Sequence, residues 1–253
     1  MERTPYLLPF TRDRIPTWLC PVCQSGHLRL LKDTLVERES QASQKDHDHV
    51  DWEPDWIRGV FSCVFECNNE RCKEYVSCAG DSRVETTEFL DDEYGWSQQQ
   101  EENFYPGYFV PALVLMDIPK VCPETVRKHL RESFALAYAD AGAALNCARA
   151  AVEAVLTNLN ITRFRNQNGK RRIISLHQRI EGLPNKYDEQ KQLLLAVKWL
   201  GNAGSHSGPE PTVNDLRNAY DLLESVLAEI YDKKTEKLKA VAKKVNKKKG
   251  TSK

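Results

Sequence analysis

Between residues 28 and 116 the apolar residues come in short alternating runs: LRLLKDTLV (28–36), GVFSCVFEC (59–67), EYVSCAG (74–80) and YFVPALVLM (108–116). A period of two puts every second side chain on one face, so each run predicts a half-buried strand. Two polar insertions, ERESQASQKDHDHVDWEPDW (37–56) and DDEYGWSQQQEEN (91–103), separate them and predict exposed loops. From Pro123 the period lengthens to that of a helix. Val126, Leu130, Phe134 and Ala137 share one face, and Pro123 is tolerated in the first turn. Asp140 and Gly142 mark a turn, after which Leu145, Ala148, Val152, Val155 and Leu159 form a second stripe. Residues 160–172, NITRFRNQNGKRR, predict a basic loop with five positive charges and no acid. A short helix follows with Leu176, Ile180 and Leu183 aligned, ended by Pro184. Leu193, Val197 and Leu200 line the next helix. The last starts at Thr212 with Asp215 in a capping-box position, and its stripe is Leu216, Tyr220, Leu223, Leu227 and Ile230.

Four long helices and one short one, joined by short connections, predict an antiparallel helical bundle. The expected fold class is therefore α+β. A small antiparallel β domain with loop insertions spans 1–121, the helical bundle spans 122–232, and a Lys-rich tail spans 233–253.

Length and composition narrow the class. The 253 residues suit one large domain or two small ones, and 41% hydrophobic with 28% charged residues is the balance of a globular chain. No apolar run approaches the roughly 20 residues of a membrane helix. The start, MERTPYLLPFTRDRIP, lacks the apolar core of a secretory signal, so a cytoplasmic location with no membrane attachment is expected. The formal net charge of zero hides an asymmetry. Residues 233–253 carry ten Lys and one Glu, +9, and the remaining chain carries −9. Such a tail, with the basic 160–172 loop, is a candidate nucleic-acid contact; a solvated helix end is the plainer reading.

Six of the eight cysteines lie between residues 20 and 78. Two pairs stand out: Cys20 and Cys23 in CPVCQSGHL, and Cys67 and Cys72 in FECNNERC. Each pair sits on a tight turn beside a predicted strand. Two such knuckles supply the four soft donors of a tetrahedral zinc site. Four thiolates leave no open position, so this zinc would be structural. Gly26 is expected to serve the backbone twist after the first knuckle. Cys63 and Cys78 are expected in paired strands as small apolar residues. His27 is an alternative ligand. His47, Asp48, His49 and Asp51 have metal-like chemistry but sit in a charged, solvated stretch.

The motifs in order are CPVC, ECNNERC, FYPGYFVPALVLMDIP, RAAVE (149–153) and WLGNAGSH (199–206). Over residues 18–232 this order resembles a bacterial domain family related to the HEPN superfamily of helical bundles. That family occurs alone and appended to restriction and other defence proteins. The resemblance implies a HEPN-like bundle after a zinc ribbon, a homodimer, and a defence role with nucleic acid, a nucleotide or a partner defence protein as ligand. Active HEPN ribonucleases carry an arginine four to six residues before a histidine and cleave RNA at a dimer cleft without metal. Matched residue by residue, His206 takes the place of that histidine and Asn202 that of its polar partner. Gly201 stands where the arginine is expected. Lys198, or Arg149 and Glu153 of RAAVE, are the candidates for the missing charge. The resemblance thus implies a binding module with a degenerate ribonuclease motif. The alternative is a metal-independent endoribonuclease using His206 and Asn202.

Overall fold

The computed structural model describes residues 7–91, 95–203, 210–232 and 241–247. The chain is α+β, with an antiparallel sheet in its N-terminal part and helices in its C-terminal part. It divides into two compact units: Met1–Leu115 with Phe134–Ala139, and Met116–Ser133 with Asp140–Lys253.

The first unit is built on β1 (Leu28–Leu30), β2 (Val36–Glu39), a short helix α1 (Gln41–Asp46), β3 (Arg58–Cys67), β4 (Tyr75–Asp91) and β5 (Gly95–Val110). β1 and β2 both pair with β3, β3 with β4, and β4 with β5, all antiparallel. Between β1 and β2 the chain makes one turn, and Thr34 bridges the gap. Its hydroxyl accepts the Val64 N–H at 2.9 Å and donates to the Leu31 carbonyl at 2.6 Å. The alternation along β3 holds: Phe61, Cys63, Phe65 and Cys67 are buried, while Val60 and Ser62 face solvent. Phe104 and Phe109 of β5 are both buried although five residues apart, an odd spacing that would split them between faces in a regular strand. A register shift at Ala79/Gly80 leaves Gly107 as the extra residue and restores the inward face. The core is a set of rings around Phe10, which meets Trp18, Phe61, Phe65 and Phe104 at centroid distances of 5.2 to 5.7 Å.

Both polar insertions depart from the expected loops. Residues 37–39 continue an edge strand, and Ser40 caps α1 by accepting the Ser43 N–H at 3.2 Å. Residues 95–103 belong to β5 and pair with β4 as far as Asp91↔Gly95. A two-stranded ribbon whose described residues beyond Val84 are mostly exposed has no buried face to impose apolar alternation, so its sequence carries no period of two. The 108–116 run, in contrast, stops being a strand at Val110, before Pro111.

The second unit contains α2 (Glu124–Leu136), which ends beyond it, α3 (Ala141–Asn158), the strands β6 (Phe164–Gln167) and β7 (Lys170–Ile173), α4 (Leu176–Glu181), α5 (Asp188–Ala203) and α6 (Val213–Leu227), which runs on into a π-helical turn, Ala228–Asp232. Asp140 caps α3, and Ser175 and Thr212 form capping boxes with Gln178 and Asp215. α3, α5 and α6 pack on one another through Ala144, Leu145, Ala148, Val152, Val155, Leu194, Val197, Leu216, Tyr220 and Leu223, all buried. Two buried polar side chains tie these helices to their neighbours. Ser133 donates to the Ala144 carbonyl at 2.7 Å and shares a 2.8 Å bond with the Tyr220 hydroxyl. Arg179, 3% exposed, donates to Thr157 and to the Ile161 carbonyl.

Two expectations about this unit change. The inward stripe of α5 is Gln190, Leu194, Val197 and Gly201, with Leu193 and Leu200 only half-buried. The expected 160–172 loop is in fact a hairpin. β6 and β7 pair from Phe164↔Ile173 to Gln167↔Lys170, turning at Asn168 and Gly169, both at positive φ. The Asn-Gly dipeptide is the sequence signal for this turn.

Candidate functional site

The knuckle loops converge. Cys20 to Cys23 turns back through Gln24, at φ 50°, whose N–H donates to the Cys20 carbonyl at 2.9 Å. The loop from Cys67 to Cys72 ends at Lys73, at φ 51°, with the Cys72 N–H on the Asn69 carbonyl at 2.9 Å. The two loops are tied by the Asn68 N–H on the His27 carbonyl and by the His27 N–H on the Asn68 side chain. Gly26 is needed for space, not for twist: a Cβ there would stand 2.5 Å from the Cys67 Sγ and 2.8 Å from the Asn69 Cβ.

This convergence brings Cys20, Cys23, Cys67 and Cys72 together, their Sγ atoms all within 4.8 Å of one another. Cys20 and Cys72 are 3.8 Å apart, Cys23 and Cys67 3.7 Å. A disulfide needs about 2.05 Å. A tetrahedral shell of zinc–thiolate bonds of about 2.3 Å sets its sulfurs about 3.8 Å apart, so the group fits a zinc-sized ion. Backbone N–H groups of Gly26 and Asn69 point at Cys23 and Cys67 at 3.3 and 3.4 Å, and the Asn69 amide reaches Cys23 at 3.7 Å. Such donors stabilise negative sulfur and orient it. Hydrogen bonds from Ser25 and Gly26 pull the Cys23 thiol down to about 5. Burial, with the three neighbouring thiols, pushes Cys67 up to about 12. Thiols this crowded cannot all ionise unless a cation neutralises them.

The other metal-like residues stay apart from this group. His27 is exposed. His47 pairs with Glu39 at 2.8 Å, and His49 accepts the Asp51 N–H. Cys63 and Cys78 are directly opposed in β3 and β4 and buried, as expected. Their mutual hydrogen bond, then burial, raises the Cys78 thiol far above its usual range.

The motif residues on α3 and α5 are placed as follows. Arg149 and Glu153 lie one turn apart, with Nη1 and Oε1 at 3.9 Å, and Glu153 also meets Arg163 at 3.8 Å. Glu153 and Arg163 line a cavity of about 450 Å³ with His129 of α2. A Cβ on Gly201 would come within 2.8 Å of the Arg149 Cβ, 3.0 Å of the Leu145 carbonyl and 3.2 Å of the Arg149 Cδ. The stem of Arg149 therefore fills the space that a side chain at 201 would enter. Its Nε is buried and finds no acceptor among the described residues. Asn202 follows at half-burial. Lys198 is not brought to this group: its Nζ lies 3.2 Å over the ring of Trp199. His206 lies outside the described residues.

The β6–β7 ribbon was legible only as a charge run, and its geometry adds a pattern. Arg165 and Arg172 are directly opposed, and Gln167 and Lys170 share their face. The other face carries Phe164, Ile173, Asn166 and Arg171, with the Arg171 guanidinium 3.7 Å over the Phe164 ring. All eight strand residues are exposed. Among the described residues no carboxylate pairs with Arg165, Lys170, Arg171 or Arg172, and the sequence from 160 to 175 contains no acid.

Two family models match the chain. One, described as a domain of unknown function (DUF8608), matches residues 8–109 and so contains all four clustered cysteines. The other, described as a domain of unknown function (DUF4145), matches residues 131–248 and contains α3, the ribbon, α5 and α6. No curated protein and no solved structure matches the chain. No described helix is long and apolar enough to cross a membrane.

Proposed function

We propose that the chain is a nucleic-acid-binding module, with a zinc-clipped β unit and a HEPN-like helical unit that presents the β6–β7 ribbon to phosphates. The observation that carries this reading is the ribbon itself. Opposed Arg165 and Arg172 with Lys170 beside them make a cationic face that no carboxylate of the described chain neutralises. Like charges directly opposite each other in a ribbon are unfavourable, and phosphate oxygens relieve them. Phe164 on the opposite face offers a ring for base stacking. The Lys-rich tail adds sequence-independent attraction.

In this reading Cys20, Cys23, Cys67 and Cys72 hold one zinc ion as a structural clip. Bound there, zinc neutralises the thiolates and ties the two knuckles; with four sulfur ligands it has no position for a substrate. The HEPN relationship, homodimerisation and a place in bacterial defence follow the motif resemblance and are part of the same proposal.

The test is oligonucleotide binding by fluorescence anisotropy across a salt series. Arg165→Ala with Arg172→Ala should weaken binding about tenfold near 0.1 M salt and reduce the log–log salt slope by about 2. An unchanged affinity and slope would remove the ribbon from the account.

One observation favours the second reading, a metal-independent endoribonuclease. The stem of Arg149, its Cβ and Cδ, packs against Gly201, and its buried Nε has no partner among the described residues. A guanidinium there would stabilise charge on a scissile phosphate, with His206 and Asn202 moving or holding a proton. RNA cleavage by the purified chain, abolished by Arg149→Ala and by His206→Ala, would establish it. Absence of cleavage alongside intact binding leaves the binding module.

A further inference from the structure

The molecule carries a second ribbon, opposite in charge to the first. β3 stops pairing with β4 at Arg58↔Arg83, but β4 and β5 continue as a pair to Asp91↔Gly95. At the root of this arm, the Val84 N–H still meets the Ile57 carbonyl, Phe10 bridges to Phe104, and Arg12 and Arg14 reach Glu102 and Glu101. Past that root, no third strand pairs with residues 85–91 or 95–100 among the described residues. The sequence from 84 to 100 has five acids and no Lys or Arg. Glu85 stands opposite Glu101, a like-charge pair that mirrors Arg165 opposite Arg172. Trp96 is 77% exposed on the arm, and Ile173 is 78% exposed on the basic ribbon.

We propose that the acidic β4–β5 arm of one copy of the chain docks on the basic β6–β7 ribbon of a second copy. Three features support this occupant. By sequence the arm carries five acids between residues 84 and 100, against Arg165, Lys170, Arg171 and Arg172 on the ribbon. Each element is a two-stranded ribbon with open edges, which invites strand addition, and each carries an exposed large apolar side chain to cover. Among the described residues, every β6–β7 strand residue and Trp96 are exposed. Zero formal net charge leaves no long-range repulsion between copies. The docked arm would occupy the surface offered to phosphates, so self-association and nucleic-acid binding would exclude each other. That last clause rests on the proposed function; the docking itself does not.

The experiment is sedimentation velocity on the full chain, freed of nucleic acid, at low and high salt. The native chain should self-associate at micromolar concentration and ~0.05 M salt. Its association constant should fall at least about tenfold by ~0.3 M salt. Glu85→Lys with Glu88→Lys, and separately Arg165→Glu with Lys170→Glu, should each leave monomers. The chain carrying all four changes keeps native net charge and should associate again. These positions are exposed, and circular dichroism checks that each variant is folded; Glu85→Gln with Glu88→Gln gives a milder loss if the reversal disturbs the arm. A monomeric native chain overturns the docking, whether or not it binds oligonucleotide through the ribbon. So does association that survives both reversals, or four changes that fail to restore it. Failure of oligonucleotide binding with docking intact would instead count against the proposed function alone.

Discussion

The sheet unit and the helical unit solve the burial problem with opposite materials. The sheet buries rings: Phe10, Trp18, Phe61, Phe65 and Phe104 meet mostly edge to face. The helices bury aliphatic side chains such as Leu145, Leu194, Leu216 and Leu223, with small residues where α3 meets α5. α3 presents Ala144, Ala148 and Ala151, and α5 answers with Gly201. Helices whose backbones approach closely exclude anything larger than a methyl group at the contact. The difference also explains the cysteine centre. The knuckle loops have few ladder bonds of their own, so a cross-link at their base contributes most where regular structure contributes least. The helices are closed by capping boxes and close packing and have no such need.

The comparison predicts that the units respond separately. The largest effect should come from Cys67→Ser, which removes one of the four sulfurs of the proposed metal clip. Because metal binding in such sites is folding free energy, of order 10 kcal/mol in small zinc domains, the sheet unit should lose its near-ultraviolet dichroism around Trp18. Helical ellipticity should remain, and equal loss of both signals would break the comparison. Phe10→Ala follows. It empties the centre of the ring cluster and should destabilise the sheet transition by about 3–5 kcal/mol in denaturant titration. Gly201→Ala is the helical counterpart. Alanine favours helix by about 1 kcal/mol, but its Cβ would press on Arg149 and the Leu145 carbonyl. A net loss of about 1–2 kcal/mol in the helical transition is expected, and a gain would show that α3 and α5 can separate freely.

The smallest effect is a pH dependence. Burial, then the neighbouring Glu37 carboxyl, raises Glu102 to about 7, against the opposing pull of Arg12. The folded chain then binds a proton that the unfolded chain releases near the usual 4.5. Stability from this group is greatest at low pH and falls as pH rises towards 7. With its side chain 30% exposed, solvent screening reduces the effect to about 1 kcal/mol. The melting temperature of Glu102→Gln should therefore lose this slope between pH 5 and 8. A slope identical to the native one would assign it elsewhere.

What was legible in the sequence follows the same division. The β3 alternation, the four cysteines and the helix stripes were readable, because one buried face writes its period into the residue order. The distal β4–β5 ribbon was not, because no buried face imposes an alternating apolar pattern on its Thr, Gln and Glu positions. The β6–β7 hairpin was missed for the same reason, although Asn168-Gly169 marked its turn. Gly201 read as a lost arginine, and only the packing of Arg149 from a helix some fifty residues earlier reveals why a side chain is excluded there. The meeting of the two knuckles was a spacing argument that the loop geometry makes concrete.

The central claim is that a metal clip at Cys20, Cys23, Cys67 and Cys72 holds the sheet unit and leaves the helical unit to its own packing. Hydrogen–deuterium exchange on the full chain, with and without a zinc chelator, tests it most directly. The account predicts that chelation strips protection from β1, β3 and the start of β4 while α3, α5 and α6 keep theirs. Unchanged protection in the sheet, or an equal loss in both units, would contradict it.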